Sequence, residues 1–429
     1  MNFIEELRWR GMLQDMIPGL ENQLAKEMTV AYIGFDPTAP SLHIGNLAAI
    51  MLLKHFQLCG HKPIALVGGA TGMIGDPSGK AAEREFLSED TLRANQVGIQ
   101  KQLEKFLEFH AGANSAEVVN NYDWFKEFSF LGFLREAGKF LTVNYMMSKD
   151  SVKKRLETGI SFTEFSYQLL QGYDFYHLYK TKNVRLQMGG SDQWGNITTG
   201  TEIIRRKEGH DEDATERAAF ALTTPLVTKA DGTKFGKSES GNVWLDAEKT
   251  SPYAFYQFWL NAADADVPRL IRVFTLYTKE QIEELEKQHA EAPHLRILQK
   301  AVAEEVTTRV HGAEVCALVI EASSLLFSKD AVELIAGATD ELLGQLPIHE
   351  VSATLLAECK NLTDLISVGT DNLIFPSKGE ARKAIQNNAI SVNKVKVTDP
   401  NAALDFAKIR GQYLLVGNGK QKNYILSFK

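Results

Sequence analysis

Cysteine is scarce in this chain of 429 residues: Cys59, Cys316 and Cys359 are odd in number and far apart. That excludes a disulfide framework and a cysteine-ligated metal site, and it points to a reducing compartment. Long apolar runs are missing too. No stretch approaches the roughly 20 apolar residues that cross a bilayer, so a membrane role is not expected. The opening MNFIEELRWRGM carries Glu5 and Glu6 where a secretion signal would be apolar, and reads as an amphipathic helix of a cytoplasmic protein. Internal repeats and low-complexity segments are absent. Positive charge is in deficit, 47 Lys and Arg against 54 Asp and Glu for a net −7, which for the chain as a whole argues against a nucleic-acid partner. The distribution reverses this at one end. From Ser377 onward ten basic residues stand against three acidic ones, a net +7 that leaves −14 for the rest.

What is present is a globular composition, 44% hydrophobic and 24% charged, in a chain long enough for two to four domains. MTVAYIGF, Met28 to Phe35, has the content of a strand. LHIGNLAAIMLLKHFQLCG reads as a helix capped by Ser41 and ended by Gly60, and KPIALVGG as a second buried strand. Strand, helix, strand within some 40 residues is the unit of a doubly wound parallel sheet of the Rossmann type, which VRLQMGG at Val184 to Gly190 would join. Past Asp231 the pattern turns helical, with Leu295, Leu298, Val302, Val306 and Val310 on one face. Pro347 suggests a linker. PSKGEARKAIQ then opens a small α/β unit with a capping box of Ser377 and Glu380, followed by a strand AISVNKVKV and a hairpin YLLVGNGKQKNYILSF that turns near GNG. The expected division is a Rossmann-like domain over 1–230, a mobile loop over 231–246, a helical domain over 247–330, a linker over 331–361 and a basic α+β domain over 362–429.

Two stretches carry chemistry. In YIGFDPTAPSLHIGNL, His43 and Asn46 stand one turn apart at a helix start directly after a strand, where free backbone N–H groups and the helix dipole suit phosphate and Gly45 permits close approach; ATP is the natural ligand. In KADGTKFGKSESGNVW, Lys234 and Lys237 lie in a Gly-rich segment without apolar periodicity, able to close over a triphosphate. GDPSGK at Gly75 to Lys80 lacks the spacing and the hydroxyl of a P-loop, and there is no G-x-G-x-x-G.

Together HIGN and KFGKS resemble the His-Ile-Gly-His and Lys-Met-Ser-Lys-Ser signatures of class I aminoacyl-tRNA synthetases. With GGATGMIGDPSGK, NNYDW, FTEFSYQLLQGYDF and QMGGSDQWGN, the stretch from Tyr32 to Trp259 resembles the tyrosyl-tRNA synthetase family. The resemblance implies activation of tyrosine by ATP with Mg²⁺, no tightly bound cofactor, transfer to tRNA(Tyr), and a homodimer to which Phe125 to Phe140 could contribute. Thr38, His43 and Asn46 would hold the leaving pyrophosphate, with Lys80, Arg84, Lys234, Lys237 and Ser238 assisting. Gly34, Asp36, Gly45, Gly190 and Asp192 would complete the ATP site. Asp76, Tyr167 and Gln171 would meet the substrate ammonium, and Gln193 its carboxylate. Tyr167, Gln171 and Asp174 share one helix face by their spacing. Tyr32 and Asp174 would bracket the phenolic hydroxyl, one donating and one accepting. The tail resembles an S4 RNA-binding domain, with Lys378, Arg382, Lys383, Lys394 and Lys396 against tRNA phosphates. Asn46 departs from the second His of the signature, and Ile33 from a Cys that family members often carry near the ribose. A tryptophanyl-tRNA synthetase would share both signatures but need a pocket for indole. A nucleotidylyltransferase would be shorter and lack the tail, and an RNA-binding protein without activity would be expected to have lost catalytic lysines.

Overall fold

A computed structural model describes residues 2–76, 87–156, 159–209, 218–230, 232–233, 235–238, 241–419 and 422–428. The chain forms two compact units. The first comprises Met1–Lys249 and Asn261–Val302, the second Thr250–Leu260 and Ala303–Lys429.

The first unit is built on six strands: β1 (Asp15–Met16), β2 (Val30–Phe35), β3 (Lys62–Val67), β4 (Glu117–Asn120), β5 (Val184–Gly190) and β6 (Phe220–Thr224). They lie in the order β1-β6-β5-β2-β3-β4, parallel throughout except for β1 against β6. The apolar runs of β2 and β3 are what a parallel strand covered on both faces requires. On one face Val30, Tyr32, Ile64 and Val184 pack with Phe175, Leu178 and Ile204 of the helices Phe162–Lys182 and Trp194–Glu208. Those helices approach closely because a Cβ on Gly200 would stand 2.8 Å from the Cβ of Phe175. The chain runs from β2 outward to β3 on one side and resumes at β5 on the other. The reversal leaves a crevice beyond the carboxyl ends of β2 and β5, the place where such sheets bind ligands.

The helix after β2 spans Ile44–Leu58, and its N-cap is His43, not Ser41. Ser41 is buried with its hydroxyl donating to Leu42 O and accepting from Gln102 Nε2, so it is committed elsewhere.

A short separate hairpin pairs β7 (Lys237–Ser238) with β8 (Gly241–Asn242). In the second unit, β9 (Ile348–Glu350), β10 (Ile390–Val392), β11 (Val395–Lys396), β12 (Tyr413–Asn418) and β13 (Lys422–Ser427) form a sheet in the order β11-β10-β12-β13-β9. Helix Lys378–Gln386 covers it, opened by Ser377 Oγ accepting from Glu380 N–H at 3.2 Å. Three expectations change here. The stretch 331–361 is folded: it holds the helices Ala331–Gly337, Asp340–Gln345 and Ala353–Glu358, and β9 pairs in parallel with β13 at the sheet edge, where Pro347 costs no ladder bond. The segment AISVNKVKV is a two-residue hairpin, because Asn393 and Lys394 both take left-handed φ values of 48° and 65°. Residues 247–330 do not form one body, since Thr250–Leu260 belongs with the second unit and Asn261–Val302 with the first. Of the apolar stripe read there, Leu298, Val302, Val306 and Val310 are buried, but Leu295 is exposed in a 3₁₀ turn before the helix Ile297–His311.

Candidate active site

His43 and the KFGKS segment meet through the backbone. A short hairpin, strand Lys237–Ser238 with strand Gly241–Asn242, leads into Val243, whose N–H donates to Gly236 O at 3.1 Å and whose carbonyl accepts from Ile44 N–H at 2.9 Å. His43 pairs with Trp244 in an antiparallel bridge, their rings edge to face at 5.8 Å. Asn46 Oδ1 accepts from His43 N–H at 3.1 Å, and Asn46 N–H donates to His43 O. Two helix-start amides expected to meet phosphate, those of Ile44 and Asn46, are thus already bonded within the protein. The surface over Gly45 is covered by the His43 ring, which a Cβ there would meet at 2.7 Å. Thr38 is exposed just past β2, and Gly34 is the exposed residue of that strand; Ile33 is buried in it. Lys80, Arg84 and Lys234 lie outside the described residues, as do the side chains of Lys237 and Ser238.

A hydrogen-bonded chain of polar side chains runs from Asp174 in the helix Phe162–Lys182 to Asp36 just past the carboxyl end of β2. Asp174, 2% exposed, accepts from Asn121 Nδ2 at one oxygen (3.0 Å) and from Trp124 Nε1 at the other (2.9 Å). Burial pushes its carboxyl well above the usual range, and these two donors oppose the shift. Asn121 also donates to Thr71 Oγ1, which donates to Asp36 Oδ1 at 2.7 Å, and Asp36 Oδ2 accepts from the Tyr167 hydroxyl at 2.7 Å. Having given its proton to Asp36, the Tyr167 oxygen can only accept, which suits an ammonium. Burial, then the charges of Asp36 and Asp76, raise the Tyr167 pKa. Asp76 accepts from Gln193 Nε2 at 2.7 Å and, at its other oxygen, from Asn196 Nδ2 at 3.4 Å. Gln171 is half-buried one turn beyond Tyr167. Tyr32 is 1% exposed, and its hydroxyl has no hydrogen-bond partner among the described residues. Burial and the nearby Asp174 charge hold that hydroxyl protonated. A buried hydroxyl without a partner costs free energy that a ligand oxygen would recover.

At the mouth, Asp192 is exposed beyond β5, and Gly190 leaves room that a Cβ would lose to the Asp192 carboxylate. In the second unit Arg382, Lys383 and Lys396 are exposed, whereas Lys378 pairs with Asp364 at 2.7 Å and Lys394 Nζ donates to Leu326 O at 2.8 Å. The last two are therefore engaged within the fold, which the sequence reading did not foresee.

The model of the family described as tRNA synthetases class I (W and Y) matches residues 24–328, and that of the tyrosine–tRNA ligase SYY-like C-terminal domain matches residues 343–427. The chain belongs to the class I tRNA synthetases. It is 60% identical to the tyrosine–tRNA ligase of Cytophaga hutchinsonii, covering 100% of this chain and 99% of that one. It is 58% identical to the tyrosine–tRNA ligase of Amoebophilus asiaticus, covering 99% of each. Among solved structures it is similar to a C-terminally truncated mitochondrial tyrosyl-tRNA synthetase of Aspergillus nidulans, with a TM-score of 0.69, 29% identity, and coverage of 76% of this chain and 94% of that one.

Against this synthetase fold, the residues that sequence reasoning missed stand out. Asn121 and Trp124, both in NNYDW, hold Asp174. Thr71 and Asn196 hold Asp36 and Asp76. Gln187 stands in register beside Tyr32 with a buried amide oxygen that has no partner among the described residues. For Gln187 a signal existed: a lone amide in a strand otherwise built of buried residues.

Proposed function

We propose that this chain is a tyrosine–tRNA ligase that uses the crevice between β2 and β5 to bind tyrosine and ATP. The observation that carries the choice of tyrosine is the Tyr32 hydroxyl, buried beside the Asp174 carboxylate with no partner among the described residues. A phenolic hydroxyl would accept from Tyr32 and donate to Asp174, whereas phenylalanine would leave both buried groups unpaired. At the other end, about 10 Å along the helix, Tyr167, Gln171 and Asp76 receive the ammonium. Gln193, its amide held by Asp76, faces the carboxylate.

That carboxylate is ionised at neutral pH and attacks the α-phosphorus of ATP directly, forming tyrosyl-adenylate while pyrophosphate leaves. No general base is needed, so catalysis consists of positioning and charge stabilisation. His43, Thr38 and the lysines of the KFGKS segment act on the leaving group, with Lys80 and Arg84 adding charge. Gly34, Gly190 and Asp192 serve the nucleoside. Mg²⁺ would arrive with the nucleotide and add positive charge at its phosphates. In the second step the terminal ribose hydroxyl of tRNA(Tyr) attacks the adenylate carbonyl and AMP departs. Arg382, Lys383 and Lys396 meet tRNA phosphates.

The protein works in the cytoplasm as a homodimer, and no described helix is long and apolar enough to cross a membrane. ATP–pyrophosphate exchange without tRNA, run with each of the twenty amino acids, tests the assignment. Exchange should require tyrosine. Exchange with tryptophan would move the protein to the sibling specificity, and none at all would remove the activity.

A further inference from the structure

The approach to KFGKS, at Leu226 and Ala230, and one residue of KFGKS itself, Phe235, rest on the helix Val267–Phe274 and the residue before it. Asp266, just before that helix, accepts from Ala230 N–H at 2.6 Å, Arg269 Nη2 donates to Leu226 O at 3.0 Å, and Phe235 stacks on Phe274 with ring centroids 5.7 Å apart and planes 26° from parallel. Phe274 is buried, so it offers a fixed platform. The residue after Phe235, Gly236, has a φ of +95° and presses so close to the His43 helix that a Cβ would lie 3.1 Å from Gly45 N. Phe235 is thus the last side-chain anchor before the backbone turns onto the ATP-binding helix and reaches Lys237. In the family signature this place carries Met, another large apolar side chain.

We infer that Phe235 is a positioning residue for adenylate formation: stacked on Phe274, it fixes the place of the Lys237 backbone against the start of the His43 helix. This rests on the role given to Lys237 above. An aromatic contact of this kind stabilises by enough to change a population about tenfold, and losing it would let the segment leave the one geometry in which its lysines act, with no change in the tyrosine pocket.

The test is single-turnover formation of tyrosyl-adenylate by the full-length protein, with tyrosine affinity measured separately by equilibrium dialysis. Phe235→Ala should lower the rate constant about tenfold and leave tyrosine affinity unchanged. Phe235→Met should recover most of the rate. Phe274→Leu should act in the same direction, and the double variant Phe235→Ala/Phe274→Leu should be no slower than Phe235→Ala, since one contact cannot be lost twice. Parental speed in Phe235→Ala, a loss confined to tyrosine affinity, or multiplying effects in the double variant would overturn the inference. Lys237→Ala separates the two readings. If it is slow while Phe235→Ala is not, the anchor alone fails; if it keeps parental speed, the role of Lys237 fails and takes the anchor with it.

Discussion

At the residue scale, the proposed choice of tyrosine depends on how Asp174 is held. Each carboxylate oxygen accepts one donor, from Asn121 and from Trp124, and both bonds oppose the burial that raises the Asp174 pKa. Trp124→Phe would preserve the stack on His177, whose rings lie 4.4 Å apart, while deleting the Nε1 donor. Burial already raises the Asp174 pKa and the Trp124 bond lowers it, so the substitution raises it further. A raised pKa means that the carboxylate is neutralised sooner as pH falls. The acid limb of kcat/KM for tyrosine should move to higher pH by about one unit, the equivalent of one hydrogen bond to a charged group; an unmoved limb with an intact fold would show that Trp124 does not tune this carboxylate. Tyr32 and Asp174 were paired once the resemblance pointed to tyrosine, because a phenol requires a donor and an acceptor. Their supporters were not legible. Trp124 and Asn121 reach Asp174 across 50 and 53 residues of sequence, a separation that no helical or strand period encodes.

At the scale of elements, the basic tail shows how a charge count misleads when it is read without the fold. Asn-Lys at 393–394 looked like the middle of an alternating strand, since alternation persists through AISVNKVKV. The left-handed pair makes it a turn instead, and the turn carries Lys394 to the carboxyl end of the helix Ala313–Phe327. There it meets a last-turn carbonyl and the negative end of the helix dipole. Lys394→Met should therefore cost about 1 kcal/mol of stability, read by urea unfolding, and leave the salt dependence of tRNA binding as it was. Lys396→Met, two residues on and exposed, should do the reverse: no change in unfolding, and a slope of log affinity against log salt shallower by about one contact. The opposite pattern would return Lys394 to the RNA surface. The strand Val184–Gly190 was readable to the residue because most of its positions are buried and its sequence is accordingly mostly apolar. The non-contiguous second unit was not, since Thr250–Leu260 joins it through contacts such as Gln257 Nε2 to Ser323 Oγ at 2.7 Å, with 66 residues between.

At the scale of the whole molecule, the aromatic stretch Phe125 to Phe140 proves to be part core and part surface. Phe125, Phe128 and Phe133 pack around Tyr173, while Phe130 and Leu131 turn outward at 66% and 71% exposure. Phe162, 69% exposed, opens the long helix that carries the tyrosine pocket. These residues are not scattered. The helices Phe130–Glu136, Val143–Met147 and Phe162–Lys182 all pack on one cluster of Leu141, Met146, Leu169 and Ile203, so their outward apolar side chains lie on neighbouring elements. Such a patch marks an interface between proteins, and each large apolar side chain that it buries contributes about 2 kcal/mol. If the partner is a second copy, the double substitution Leu131→Asp/Phe162→Asp removes two such contributions and, in a symmetric pair, puts carboxylates into both halves of the interface. Sedimentation velocity should then show a monomer where the parent shows a dimer, with the circular dichroism spectrum unchanged. Because the Phe162–Lys182 helix bears Tyr167, Gln171 and Asp174, loss of the partner should also loosen tyrosine binding. A monomeric parent would assign the patch to another protein, and a variant that stays dimeric would place the interface elsewhere on the chain.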